Sequence, residues 1–162
     1  MDAGEQTARP GGRLAVIVLH ASDLERSASF YRDVVGVPLV AGENEPRSDP
    51  WTGGAHAEIS WFEGAYLHFA VVPANPPQRP VTTGVQIGFR TADLEAAHGR
   101  AVAAGVAVLH PPRQEPWGWT ARYLDPDGNI VGLAGAVPEG YRERQRREAT
   151  SQNDQPTKTL PR

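Results

Sequence analysis

The stretch Leu124-Asp125-Pro126-Asp127-Gly128-Asn129-Ile130-Val131-Gly132-Leu133 decides the fold. Pro126 fixes its own φ and Gly128 offers a φ > 0 position, so Pro126-Asp127-Gly128 is a tight-turn signal. Before it, Trp119 to Leu124 carries aromatic and β-branched residues; after it, Ile130, Val131 and Leu133 continue the apolar character. Two such runs about a turn predict the last hairpin of a sheet. A hairpin by itself has no functional meaning. This one gains meaning by closing a unit that occurs twice.

Working outward, Val85 to Phe89 reads as a strand, and Ala92-Asp93-Leu94-Glu95 as a helix start. Leu94, Ala97 and Ala101 recur on one helical face, and Gly105 ends the helix. Val106 to Leu109 is a strand, 110–116 a Pro-rich loop and 117–134 the hairpin. Seventy positions before Asp93, Ser22-Asp23-Leu24-Glu25 stands in the same place. Leu14 to Leu19 is a continuous apolar run ahead of it, read as a buried strand that His20 closes. Ser22 and Glu25 have capping-box spacing, which predicts Ser22 as the cap. Leu24, Ala28, Tyr31 and Val35 give the helix one buried face, and Gly36 ends it. Val37 to Ala41 is a strand, 42–54 an acidic loop, and His56 to Phe62 with Ala65 to Val72 a hairpin. Each unit is therefore β-α-β-β-β, and a repeat carries more weight than any single motif because several features must recur in order.

This predicts an α+β chain of two tandem βαβββ modules at 13–73 and 83–136. A linker at 74–82 joins them, overlapping a proline-rich run from Pro73 to Pro80. Residues 1–12 are expected as a disordered lead-in and 137–162 as a polar, disordered tail, with one exposed helical turn at Arg142–Glu148. The 162 residues are enough to bury a core. The net charge of −3 leaves no basic footprint, which argues against nucleic acid. There are no cysteines, so thiolate chemistry is excluded. Met1 to Arg13 holds no apolar run and nothing approaches a membrane span, so a cytoplasmic protein that does not enter membranes is expected.

The paired units, the Asp-Leu-Glu helix starts, Phe30-Tyr31-Arg32-Asp33 before Gly36 and the Asp-Pro-Asp-Gly-Asn turn resemble the vicinal oxygen chelate superfamily. That superfamily includes glyoxalase I, extradiol dioxygenases and bleomycin-binding proteins. The resemblance covers roughly residues 13–136 and implies that each unit curls its sheet into half a cup, glyoxalase-like. It also implies a divalent metal held by His, Gln or Glu from the first and last strands of each unit, and a homodimer. Counting seven back from Asp23 and Asp93 gives Val16 and Gln86. Seven on from Asp125 is Gly132, and the matching place in the first unit is taken as His68. Val16 and Gly132 offer no donor, so the expectation is no metal and no other cofactor.

Strand alternation extends the inward face. Val18 and His20 follow Val16, Gly88 and Arg90 follow Gln86, and Tyr66 accompanies His68. Arg122 joins by resemblance, and His56, Glu58 and Ser60 by analogy. Arg90 and Arg122 suit a carboxylate, phosphate or enolate oxygen. Trp51, Trp61, Trp117 and Trp119 are conspicuous, and Trp117 or Trp119 is expected to pack on a flat ligand. The leading expectation is a binding protein for a small polar or aromatic, antibiotic-like molecule, without the family metal. Gln86, Arg90, Arg122, Glu58, Tyr66, Trp117 and Trp119 would form its ligand-binding set. The alternative is an enzyme of lyase, isomerase or dioxygenase type working through an enolate-like intermediate. His68 or His20 would be its general base, with either no cofactor or a relocated divalent metal on His20, His68 and Gln86.

Overall fold

Two aspartates start the two helices. In the computed structural model, which describes residues 13–44, 54–62, 66–137, 140 and 143, Asp23 caps helix α1 (Leu24–Ser29). Its carboxylate accepts the amide of Arg26 at 3.0 Å. Asp93 does the same for α2 (Leu94–Ala103), accepting the amide of Ala96 at 2.9 Å. The cap is thus Asp23 and not Ser22. An aspartate there also sets negative charge against the positive end of the helix dipole. After α1 the helix widens into a π-helical segment, Phe30–Val35, which Gly36 terminates.

The first module contains β1 (Val16–Ala21), β2 (Val40–Asn44), β3 (Gly54–Trp61) and β4 (Leu67–Pro73), ordered β1-β4-β3-β2. β1 runs parallel to β4 and the other pairs are antiparallel. Leu19, Ala21, Ala57, Phe69 and Val71 share one face and are buried with Ala28 and Tyr31. The Tyr31 ring meets Phe69 edge-on at 5.2 Å.

The second module repeats the plan with β5 (Gln86–Thr91), β6 (Val108–Glu115), β7 (Gly118–Leu124) and β8 (Ile130–Gly135), ordered β5-β8-β7-β6. Ile87, Ala121, Tyr123, Val131 and Leu133 are buried on one face, with Leu94, Ala97 and Ala101 of α2. The fold is α+β, two four-stranded mixed sheets of glyoxalase-like topology. The chain divides into two compact units near Thr83, with Asp33–Gly36 grouped with the second.

Three local expectations change. The Pro-rich loop at 110–116 is instead a continuation of β6, with register shifts on either side of His110. Pro111 and Pro112 are tolerated there because β6 is an edge strand and need not donate on both sides. Several strands begin or end two or three residues from the expected positions, where apolar run and hydrogen-bond ladder do not coincide. Part of the expected linker is bonded to the first module: Ala74 donates to the Ala21 carbonyl, Thr82 donates to that of His20, and the His20 amide donates to Thr82 Oγ1. The lead-in 1–12, loop residues 45–53 with Trp51, Ala65 and nearly all of the tail lie outside the described residues.

The Asp-Pro-Asp-Gly-Asn turn is a structural knot. Asp125 Oδ1 accepts the amides of Asp127 and Asn129 at 3.0 and 2.8 Å, and its Oδ2 accepts the Asn129 side-chain amide at 3.0 Å. Asn129 Oδ1 in turn accepts the amide of Val85 at 3.1 Å, just before β5. The turn therefore fixes where β5 lies against β8, and so places Gln86 and Arg90.

Candidate functional site

Each sheet has a second face, opposite its helix. In the second module the register aligns this face in rows across β5, β8 and β7. Gln86, Ile130 and Leu124 form one row; Gly88, Gly132 and Arg122 the next; Arg90, Ala134 and Thr120 the third. A hollow of ≈ 290 Å³ lies over these rows. Gln86, Arg90, Thr120 and Arg122 stand around it, over Gly88, Gly132 and Ala134, with no carboxylate in its lining.

The floor is bare for a specific reason. Neither Gly88 nor Gly132 has a positive φ, so the backbone does not demand glycine at either place. A Cβ on Gly132 would lie 3.8 Å from the Ile87 carbonyl, and one on Gly88 3.9 Å from the Gly132 carbonyl, both ordinary contacts. Glycine inside a strand weakens it and commonly marks close approach by another group. Here two cross-strand glycines remove the side chains that would otherwise fill the hollow. Among the described residues, the side chains of Arg90 and Arg122 have no hydrogen-bond or ion-pair partner.

The first module's second face carries different chemistry. His56, Glu58, Ser60 and His68 form a chain on β3 and β4. The His68 Nε2 and His56 Nε2 each lie 3.4 Å from Glu58 Oε2. Ser60 Oγ lies 3.0 Å from His68 Nδ1, and His56 Nδ1 donates to the Gly54 carbonyl at 2.7 Å. His56 is 3% exposed and its ring occupies the space over Gly42, where a Cβ would collide with the imidazole. Tyr66 lies parallel to His68 with ring centres 6.5 Å apart, and is itself half exposed.

The site residues read from sequence thus fall into separate groups. Gln86, Arg90 and Arg122 share the second module's hollow. Glu58, His68 and Tyr66 share the first module's polar chain. Trp119 is a correction: alternation along β7 turns it to the face of Ala121 and Tyr123, away from Thr120 and Arg122. Trp117 sits in the β6–β7 turn, 71% exposed and outside the hollow's lining. His20 is also separated from His68. The register pairs His68 with Val16, leaving His20 about 13 Å further along the strand at ~3.3 Å per residue. Its Nδ1 faces the Pro80 carbonyl at 3.2 Å. His20 and His68 are therefore not placed to share an ion.

The internal correspondence needs a second correction. Val16 pairs with His68, but Gln86 pairs with Ile130, and Gly132 pairs with Gly88. The counterpart of His68 is thus Ile130, and that of Gly132 is Ala70. The four positions at which the resemblance implies metal ligands become Val16, Ala70, Gln86 and Gly132, of which only Gln86 has a donor. These residues do not fit the group. Among the described residues, no three His, Asp or Glu side chains are arranged to hold a metal ion.

His110 was missed because 110–116 reads as a loop. On β6 it pairs with Arg122, and its buried Nε2 has no hydrogen-bond partner among the described residues. Alternation did not reveal it because the strand shifts register on both sides.

Two βαβββ modules of this topology, the second closed by the Asp-Pro-Asp-Gly-Asn hairpin, define a recognised class. The chain belongs to the Glyoxalase/Bleomycin resistance protein/Dioxygenase superfamily, whose sequence profile matches residues 13–133. Among similar solved structures is TnmS3, an antibiotic binding protein from Streptomyces sp. CB03234. It is 27% identical, with 80% of this chain and 100% of TnmS3 covered and a TM-score of 0.57. A glyoxalase/bleomycin resistance protein from the same strain is 30% identical, covering 75% of this chain and 99% of its own, with a TM-score of 0.55. Lactoylglutathione lyase from Agrobacterium tumefaciens, 20% identical over 79% of this chain and 96% of its own, TM-score 0.52, shares the fold. No curated protein matches the sequence. Among the described residues, no helix is long and apolar enough to cross a membrane.

Proposed function

We propose that this protein binds a small polar or aromatic molecule, antibiotic-like in character, in the hollow of its second module and without the family's metal. The observation that carries this reading is the bare floor of Gly88 and Gly132 between Gln86, Arg90 and Arg122. Where the resemblance implies a carboxylate ligand, Gly132 gives open space. What a metal would hold by coordination, the arginines and the Gln86 amide hold by hydrogen bonds. The likeness to an antibiotic binding protein at 27% identity supports the same reading.

The second reading is an enzyme with His68 as general base. It draws on the contacts of His68 with Ser60 and Glu58. Those contacts also engage both ring nitrogens, leaving neither directed to a substrate, and so favour binding over catalysis.

Equilibrium dialysis tests the choice. Bleomycin and a panel of planar aromatic antibiotics are incubated with untagged protein in a chelator, and the ligand is recovered and weighed by mass spectrometry. Saturable binding with unchanged mass is expected. Chemical conversion of the ligand, or binding that vanishes with chelator and returns with one equivalent of a divalent transition metal, would overturn the proposal.

A further inference from the structure

We infer that the hollow selects a planar organic anion, its charged oxygens held between Arg90 and Arg122 while its flat body covers the Gly88–Gly132 floor. This rests on the reading that the hollow is the binding site, and adds the charge and shape of what it takes.

The charge follows from the arginines' surroundings. Arg90 stands on β5 and Arg122 on β7, with β8 between them and a two-residue offset along the strands, so their Cα atoms are about 12 Å apart at ~4.8 Å per strand spacing and ~3.3 Å per residue. Their side chains rise on either side of Gly132 and Ala134. Both border the hollow, and neither has a partner among the described residues. Three acidic groups of the same module are engaged elsewhere: Glu115 pairs with Arg113, Asp93 caps α2, and Asp125 accepts the amides of its turn. Two like charges bordering one cavity repel each other, and an anion between them converts that repulsion into two charge-assisted contacts. Guanidinium forks match the paired oxygens of a carboxylate or of a vinylogous acid.

The shape follows from the floor. Two adjacent glycines expose peptide planes and no Cβ, and Ala134 adds only a methyl group. A flat ring rests on such a surface, and Gln86 and Thr120 at the edges supply neutral hydrogen bonds to ring substituents. A compact inorganic anion would satisfy the arginines but leave the floor wet.

The test uses the full chain at neutral pH with three probes: 2-naphthoate, its neutral counterpart 2-naphthamide, and inorganic phosphate. Binding is read by calorimetry, and melting curves confirm that each variant is folded. Naphthoate is expected to bind at least about tenfold tighter than naphthamide or phosphate, with Arg90→Gln and Arg122→Gln each losing about tenfold for naphthoate only. Gly132→Leu, which the backbone accommodates, is expected to expel both naphthalene probes. Equal affinity for naphthoate and naphthamide, with both lost in Gly132→Leu, overturns the anion while leaving the hollow as the site. Phosphate binding as tightly as naphthoate overturns the planar body. Failure of both naphthalene probes to bind, or binding indifferent to Gly132→Leu, overturns the inference and the hollow together.

Discussion

At the scale of single residues, Asn129 shows how a motif that marks a family can serve architecture. It is 2% exposed and links the hairpin turn to the residue before β5. Asn129→Ala would strip the Val85 amide of its acceptor and Asp125 Oδ2 of a donor. Losing one part-buried and one buried hydrogen bond costs about 1–3 kcal/mol together. Denaturant unfolding should show that loss with an unchanged m-value, and a loss below about 0.5 kcal/mol would mean that water replaces both contacts. Gly132 teaches the opposite lesson. Its interest lies in what it lacks, and that was visible in the sequence as a donorless residue at a position where the resemblance implies a ligand.

At the scale of elements, α2 carries a titrating group against the sheet. His98 Nδ1 lies 3.0 Å from the Tyr123 hydroxyl, and the two rings are 6.0 Å apart. Burial disfavours the imidazolium and holds the His98 pKa below its ordinary 6.5. The unfolded chain therefore takes up a proton before the folded one does. Stability from this group is full above pH 6.5 and is lost as pH falls from 6.5 towards the depressed folded value. His98→Gln should flatten that part of the stability–pH curve, as followed by urea unfolding across the acid range. An unchanged slope would assign the acid sensitivity to other groups. The elements also show where sequence reading succeeds. Helix starts were legible because a capping aspartate has a local chemical signature, though the exact cap fell to Asp23 over Ser22. β6 was legible only at its start, Val108 and Leu109; beyond them its prolines look like a loop, and the strand's place at the sheet edge makes them tolerable. His110 was hidden with it.

At the scale of the whole chain, the repeat was legible and its internal alignment was not. Counting from the aspartates located Val16, Gln86 and Gly132, but matching His68 to Gly132 required a strand register that sequence spacing does not contain. With the register known, equivalent positions carry different chemistry. Glu58 corresponds to Arg122, His20 to Arg90 and Ala70 to Gly132. One module keeps an acidic residue between two histidines, with His56 filling the space above Gly42, while the other keeps two arginines, their side chains unpaired among the described residues, around an open floor. A shared topology has thus been given unlike surfaces, and the second module's surface carries a hollow lined by its own residues. Hydrogen exchange distinguishes the two. A bound ligand stabilises the folded state by mass action, about 2.7 kcal/mol at a hundredfold excess over Kd. Slower opening is read most directly in the strands that the ligand touches. With 2-naphthoate at saturation, added protection should concentrate in peptides spanning 86–91, 118–124 and 130–135. Protection concentrated instead in 54–61 and 67–73 would move the site to the Glu58–His68 chain, because those strands carry every member of it.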